Sequence, residues 1–264
     1  MERINLSDLK INNSGLRTSS FIVASGTIDK GFDLKNGDFD ILINDLNSNQ
    51  KIIINLYEDA SAKISFFVTK ELKNLDVEIN CYKNSSLNVY FADFSKDENL
   101  VNVNIALKEV GANAIWHLAS LTSKQDKKTF NVSVKHESKN TYAKVDNYGV
   151  CKDEGKLLFA GTSHIIKGSI ETKTYQNAKI MVFDKDCIAT AKPVLKIDEN
   201  DIEANHAAVV GKVNDEHLFY LTSRGLSENQ AKEIITFGYL KPILEGFIEE
   251  EIKEKITKLI EGRM

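Results

Sequence analysis

Short apolar runs recur along most of the chain, and most of them alternate with polar residues. FDILI (39–43), IIINL (52–56), ISFFV (64–68), LDVEI (75–79), LNVYF (87–91), VNVNIAL (101–107) and AIWHLA (114–119) come first. Their centres lie about 12 residues apart, the spacing of short strands in an all-β fold. FNVSV (130–134), KIMVF (179–183), AAVVGKV (207–213) and LFYL (218–221) continue the series. β-Branched and aromatic residues at alternate positions suit strands with one buried face. Polar linkers separate the runs. One of them, SKQDKK at 123–128, reads as a solvated loop. Lys35-Asn36-Gly37-Asp38 is a turn signal. No Pro- or Ser-rich stretch splits the region, so strands are expected over about 20–222 as one domain. Such a repeat permits a parallel β-helix, a sandwich or a barrel.

The period changes after Arg224. Ser227 is placed to N-cap a helix over 227–238, with Glu228 in its first turn and Gly238 at its end. Pro242 suits the first turn of a second helix, 242–260. Ile243, Phe247, Ile248, Ile252, Ile256, Leu259 and Ile260 would form its apolar stripe. Glu249–Lys253, Glu251–Lys255 and Glu254–Lys258 are expected i,i+4 pairs. The organisation is therefore 1–222 for the strand core with its short N-terminal segment, and 223–264 for a two-helix segment. The closing IEGRM resembles a protease-recognition sequence and carries no weight in this reading.

Composition narrows the choice. The 264 residues hold only two prolines and 14 glycines. Sandwiches and barrels built from hairpins spend more of both on their turns, so the parallel arrangement gains. The net charge of −4 argues against a surface that neutralises nucleic-acid phosphates or anionic membranes. No apolar run is long enough to span a bilayer. The opening MERINLSDLK lacks the apolar stretch of a secretory signal, so a cytoplasmic protein is expected.

Three cysteines, Cys81, Cys151 and Cys187, cannot close a four-thiolate metal site. Any metal held here needs histidine, carboxylate or a second subunit. Cys187 sits in FDKDCIATAKPVLKI, where Lys185 favours a thiolate and Asp184 and Asp186 oppose it. The plain alternative is a buried thiol acting as a small hydrophobe. His206, in EANHAAVVG, has Glu203 and Asn205 nearby and shares a strand face with Ala204 and Ala208. These small neighbours leave room for a ligand, or the ring is a satisfied structural histidine. His117, beside Trp116, reads as a core histidine, and His136, His164 and His217 lack a partner set. Walker A, GxGxxG, HExxH and GxSxG are absent, so nucleotide energy, if used, comes from a partner.

The segment PVLKIDENDIEANHAAVVGKVNDEHLFYLTSRGLSENQAKEIITFGYL carries a resemblance. It resembles the C-terminal core of the SufB/SufD family, the scaffold subunits of SUF iron–sulfur cluster assembly. Pro193, Leu195, Ile197, Asp201, Ile202, His206, Ala208, Gly211, residues 218–221, Ser223, Arg224, Gly225, Ala231 and Gly238 fall on the family pattern. The close match covers about residues 155–250. The resemblance implies an all-β core, a right-handed parallel β-helix, followed by C-terminal helices. It implies a scaffold rather than an enzyme, a transient iron–sulfur cluster, and a SufC-like ABC-type ATPase that binds ATP and docks on the helical segment. A sulfur donor and apo-protein acceptors are the other implied partners.

Full-length family members have a longer N-terminal region, and Ala207 and Ala204 depart from residues common in the family. Cys187 sits where SufB carries its cluster-site cysteine, and His206 where SufD carries its histidine. Both on one short chain suggest a minimal scaffold working as a homodimer, with Cys187 and His206 as ligands. Glu203 or Asn205 would give a supporting bond or a labile ligand. The pairing edge would be 193–197 and 207–213. Two other readings stand beside this one. One is a SufD-like structural subunit whose partner chain supplies the ligands; the other is a β-helix carbohydrate lyase or hydrolase.

Overall fold

The structure, a computed structural model, describes residues 19–29 and 31–263; the opening MERINLSDLK and the final Met264 lie outside them. The strands are β1 (Ser19–Gly26), β2 (Phe32–Leu34), β3 (Asp38–Leu46), β4 (Gln50–Leu56), β5 (Ser61–Val68), β6 (Lys73–Cys81) and β7 (Ser86–Asp93). They continue as β8 (Glu98–Leu107), β9 (Asn113–Thr122), β10 (Lys127–His136), β11 (Tyr142–Cys151) and β12 (Lys156–Ile165). The last three are β13 (Thr172–Val182), β14 (Ile188–Ile197) and β15 (Ile202–Lys212). Odd-numbered strands form one eight-stranded sheet and even-numbered strands a second, seven-stranded sheet. Every pairing is parallel, for example β9 with β11 and β11 with β13. The chain thus alternates between two sheets and advances one coil for every two strands. This is a parallel β-helix, with the right-handed crossover such connections take.

Alternation decides which side chains face inward. In β8 the pattern is strict: Val101, Val103, Ile105 and Leu107 are buried between the sheets. In-register stacking then aligns like residues from coil to coil. Phe66 and Phe91 stack with ring centres 5.0 Å apart, Phe91 and Trp116 at 5.5 Å, and Phe130 meets Phe159 edge-on at 5.7 Å. Offset and edge-on arrangements are the favourable ones for aromatic pairs.

The scarcity of glycine has a structural counterpart at the corners. Among the described residues eleven non-glycine residues have positive φ, and eight of these are Asn or Asp, among them Asn36, Asp59, Asn84, Asn140 and Asp153. Short polar side chains tolerate the left-handed conformation, so most corners turn without glycine, Gly111 and Gly168 being exceptions.

The helical end differs from expectation in four places. LFYL is not a strand. It lies in α1 (Asp215–Ser223), which Asn214 caps by accepting from the Glu216 amide. The strands stop at Lys212, so three α-helices follow rather than two. The apolar run lacks a covering sheet here and amphipathic pairing replaces it: Leu218 packs with the tail while Phe219 and Tyr220 stay exposed. The next helix, α2 (Glu228–Leu240), carries the expected Ser227 capping box with Gln230 but runs through Gly238. The anticipated second helix is broken. Residues Lys241–Gly246 form a 3₁₀ turn with Pro242 near its start, Phe247 is extended, and α3 (Glu250–Glu261) follows. Gly246 accounts for the break. It lies so close to Tyr90 that a Cβ would stand 2.2 Å from the ring, and its carbonyl accepts from Ser65 Oγ at 2.5 Å. With Glu249 left as the cap, Lys253 pairs with Glu250, while Glu251–Lys255 forms as expected at 2.7 Å.

The stripe Ile243, Phe247, Ile252, Ile256 and Ile260 is buried against the outer face of the odd-numbered sheet, on Leu42, Phe67, Ala92, Ala119 and Val150. That is why β9 loses its alternation after Leu118: its outward positions are covered too. His117 accordingly does not enter the core. It lies on this outer face, half-buried, stacked on Tyr90 at 4.7 Å.

The SKQDKK linker is not simply solvated. Lys128 and Asp93 form a fully buried ion pair at 2.9 Å, and Asp93 also accepts from Ser95 and Asn99. Burial opposes the charge on Asp93, but Lys128 and these donors outweigh it and hold the carboxyl below its usual range. Asp126 is buried beside it and pairs with Arg263, whose guanidinium also donates to the Phe94 and Ser95 carbonyls. Arg263 therefore anchors the end of the helical tail to the coil.

Two outcomes are expected. Lys128→Met strands a buried carboxylate and should lower stability by about 3–5 kcal/mol in urea unfolding. The double variant Asp93→Leu/Lys128→Met should recover most of that loss. His136 is fully buried, bonds Thr141 through Nδ1 at 2.8 Å, and has its other ring nitrogen without a partner among the described residues. Burial lowers its pKa from 6.5 to about 4. The native ring stays neutral while the unfolded chain takes up a proton below pH 6.5. Stability from this residue is thus complete above 6.5 and is lost as pH falls towards 4, by about 2 kcal/mol at pH 5. Denaturation series from pH 7 to 4 should show this slope in the wild type, and His136→Gln should flatten it.

Candidate functional site

The candidate residues lie on the terminal coil. β14 pairs only with β12 and β15 only with β13, so each has one unpaired edge. An unpaired parallel edge carries free N–H and C=O groups and is a template for another strand. Pro193 lacks the N–H of a central strand and is at home on such an edge. Ile197 and Val210 continue columns that earlier coils bury and are open here, as are Ile188, Val194 and Val209 at outward-facing positions. Ile188, Val194, Ile197, Val209 and Val210 are all more than a third exposed.

His206 stands opposite Gln176 in the β13–β15 register. Gln176 is buried between the sheets, donating to Ser163 Oγ at 2.6 Å and to the Val194 carbonyl at 3.2 Å. His206 therefore continues an inward-facing column but is exposed, because no further coil covers it. Ala204 and Ala208 flank it on the same face, as read from the sequence.

Glu203 and Asn205 alternate to the outer face of β15. Their register partners, Lys173 and Tyr175, also face outward. Glu203 accepts from the Tyr175 hydroxyl at 2.5 Å and pairs with Lys173 at 3.1 Å. These donors hold its pKa below the ordinary glutamate value. Within one protomer neither Glu203 nor Asn205 converges on His206.

Cys187 closes the corner between β13 and β14. It is half-buried, its amide donates to the Asp184 carbonyl, and its thiol lies 3.5 Å from the Asp153 carbonyl. Burial raises its pKa, the Asp184 amide hydrogen bond opposing this. His206 is six register positions from Lys212, which faces Val182 at the start of this corner. At roughly 3.3 Å per residue the two are about 20 Å apart along the strands. One protomer does not bring Cys187 and His206 together. Among the described residues no group of three or more His, Cys, Asp or Glu side chains is arranged to hold a metal.

Cys187 has a neighbour that the sequence reading passed over. Cys151, at the end of β11, is fully buried, and its thiol contacts both Cys187 and the Gly155 carbonyl, the latter at 3.1 Å. Burial pushes its pKa up to about 12. The signal was present in the repeat. Thr122, Cys151 and Val182 share one column, so Cys187 lies one coil plus a corner beyond Cys151.

No helix is long and apolar enough to cross a membrane among the described residues. The helical segment presents a different kind of surface. α1 buries none of its residues, and Phe219 is 74% exposed, with Tyr220 and Ile234 also open. Arg224 lies over the Tyr220 ring at 5.1 Å.

Known proteins place this architecture. Residues 47–239 match the family described as SUF system FeS cluster assembly, SufBD core domain. An iron–sulfur cluster assembly protein SufD of Bacillus subtilis is 30% identical over 135 residues, which cover 51% of this chain and 31% of that relative. The SufD of Escherichia coli is 27% identical over 115 residues, 44% of this chain and 27% of the relative. A SufBD family protein of Staphylococcus epidermidis is 26% identical over 161 residues, covering 61% and 34%. The matched regions thus span about a third of these relatives' lengths. With its β-helix and the greater part of its sequence matched, the chain belongs to the SufBD core-domain family.

Proposed function

We propose that this chain is a scaffold on which an iron–sulfur cluster is assembled, in a homodimer formed through the open edges of the terminal coil. The cluster is cargo, held briefly and passed on to apo-protein acceptors after a sulfur donor has supplied it. The observation that carries the reading is the terminal coil itself. It puts Cys187, His206, two unpaired backbone edges and five exposed aliphatic side chains at one end of the molecule. Fully burying a valine or isoleucine contributes about 1.5–3 kcal/mol, so covering this end with a second copy is favourable.

The 20 Å offset shapes the proposal. Two-fold symmetry cannot gather two Cys187 and two His206 at one point when each pair is so far apart on its own chain. It can form two equivalent mixed sites, each with Cys187 of one protomer and His206 of its partner. Thiolate is the ordinary ligand of iron–sulfur clusters and histidine replaces it in some. Glu203 and Asn205 would contribute only after the edge strand shifts. Two protein ligands per site leave the cluster weakly held, as a transfer scaffold requires.

A SufC-like ATPase would dock on α1 and α2, where Phe219, Tyr220 and Ile234 are exposed. The chain itself carries no nucleotide-binding loop. A second reading has support in the names of the relatives. Two are SufD proteins, which favours a structural subunit whose partner chain supplies the missing ligands. The carbohydrate lyase reading loses to the family match.

Anaerobic reconstitution with iron and sulfide tests the ligands. Cys187→Ala should abolish the charge-transfer absorption while the dimer persists in sedimentation. His206→Ala should weaken it, and Cys81→Ala should leave it unchanged. Full iron content in Cys187→Ala would transfer the role to a partner chain. For the interface, Val209→Glu should convert dimer to monomer with the β-sheet circular dichroism intact. For docking, Phe219→Asp should lower capture of a SufC-like ATPase at least tenfold. Undiminished capture would remove α1 from the docking surface.

A further inference from the structure

The corner that holds Cys187 contains a second thiol. The Cys151 and Cys187 thiols are close enough to influence each other's ionisation. Both are fixed by one short turn: Cys151 Sγ lies 3.1 Å from the Gly155 carbonyl and Cys187 Sγ 3.5 Å from the Asp153 carbonyl. Ile188, the residue after Cys187, donates to that same Gly155 carbonyl at 2.9 Å. The two sulfurs are thus held by stacked corners of adjacent coils rather than by flexible chain. Exposure is unequal. Cys151 is fully buried and Cys187 is half-open to solvent. The third thiol, Cys81, is buried at the end of β6, where the chain turns from the even-numbered to the odd-numbered sheet. Cys151 ends β11, at the opposite kind of corner, so Cys81 faces neither partner.

We propose that Cys151 and Cys187 form a dithiol site, in which the open Cys187 takes the first attack and the buried Cys151 resolves it as an intramolecular disulfide. The co-reactant is a small-molecule disulfide. The Cys187 sulfur attacks its S–S bond, a mixed disulfide forms on Cys187, and one small thiol leaves. The Cys151 sulfur then attacks the Cys187 sulfur, the Cys151–Cys187 bond forms, and the second small thiol leaves. The protein loses two electrons and two protons, and the two released thiols carry both. The buried position of Cys151 matters for the order. A bulky oxidant reaches only Cys187, and the second step needs no solvent access because the nucleophile is already in place. The product has a functional meaning that rests on the cluster reading: a sulfur bonded to Cys151 is no longer a thiolate ligand, so the oxidised chain is closed to cluster assembly.

The test uses the purified full chain, folded and metal-free, with oxidised glutathione as the probe. Three thiols should fall to one on titration after denaturation, with a mass loss of about 2 Da and no retained glutathione. Tryptic peptides 145–152 and 186–196 should appear joined, the Lys192–Pro193 bond resisting cleavage. In Cys151→Ser the reaction should stop at the first step, leaving glutathione bound to Cys187. Cys81→Ser should behave as the wild type, with two thiols falling to none. A stable glutathione adduct on Cys187 in the wild type would overturn the proposal, as would a disulfide between two copies of Cys187. Iron and sulfide are added only afterwards. If the disulfide forms but cluster uptake is unaffected, the ligand assignment of Cys187 fails and the dithiol site stands. If no disulfide forms, the dithiol site fails whatever the iron content.

Discussion

A parallel strand cannot pair with the strand that follows it through a tight turn, so its partner must come one coil later. That constraint organises this molecule. The chain leaves one sheet, crosses to the other and returns, and each side chain lands beside its equivalent from the previous coil. Ile64, Val89 and Trp116 fill one column; Asp97, Lys124 and Asp153 occupy successive corners. The core follows from the columns, and the buried Lys128–Asp93 and Arg263–Asp126 pairs lie along one line of corners.

The same constraint creates the site. A stack of coils has an end, and at that end the two last strands have backbone groups and inward-facing side chains with nothing above them. His206 is exposed for this reason alone; one coil further in, its column position is filled by the buried Gln176. Cys187 is half-open because it closes the last corner, while Cys151, one corner earlier, is sealed by it. Position in the stack, rather than any special local conformation, separates an open candidate residue from a sealed neighbour.

Much of this was legible in the residues. The strand runs, the near absence of proline and the shift to helical period located the β-helix and its tail, and the family pattern singled out His206 and Cys187 as candidates. The misreadings share a cause. LFYL has the composition of a strand, but its Leu218 packs with the helical tail and tertiary context decides for a helix. Lys128 and Asp126 look solvated because a charge run does not reveal which of its members points inward. His117 looked buried in the core because alternation identifies a face, not which layer covers it. The gap at Gly246 depends on one ring of Tyr90, 156 positions earlier in the chain, and no local pattern contains that contact.

The tail changes what kind of folding unit the coil can be. In a plain solenoid each repeat touches only its neighbours, and stability is a sum along one dimension, so such arrays open repeat by repeat. Here the 3₁₀ turn and its flanking helices lie across β5, β7, β9 and β11 at once, tied by contacts as distant in sequence as Ser65 with Gly246 and Asp126 with Arg263. Lifting any one of those strands exposes the strap over all of them. A linear array is thereby turned into a cooperative block whose coils melt together, at the expense of slow, non-local closure during folding.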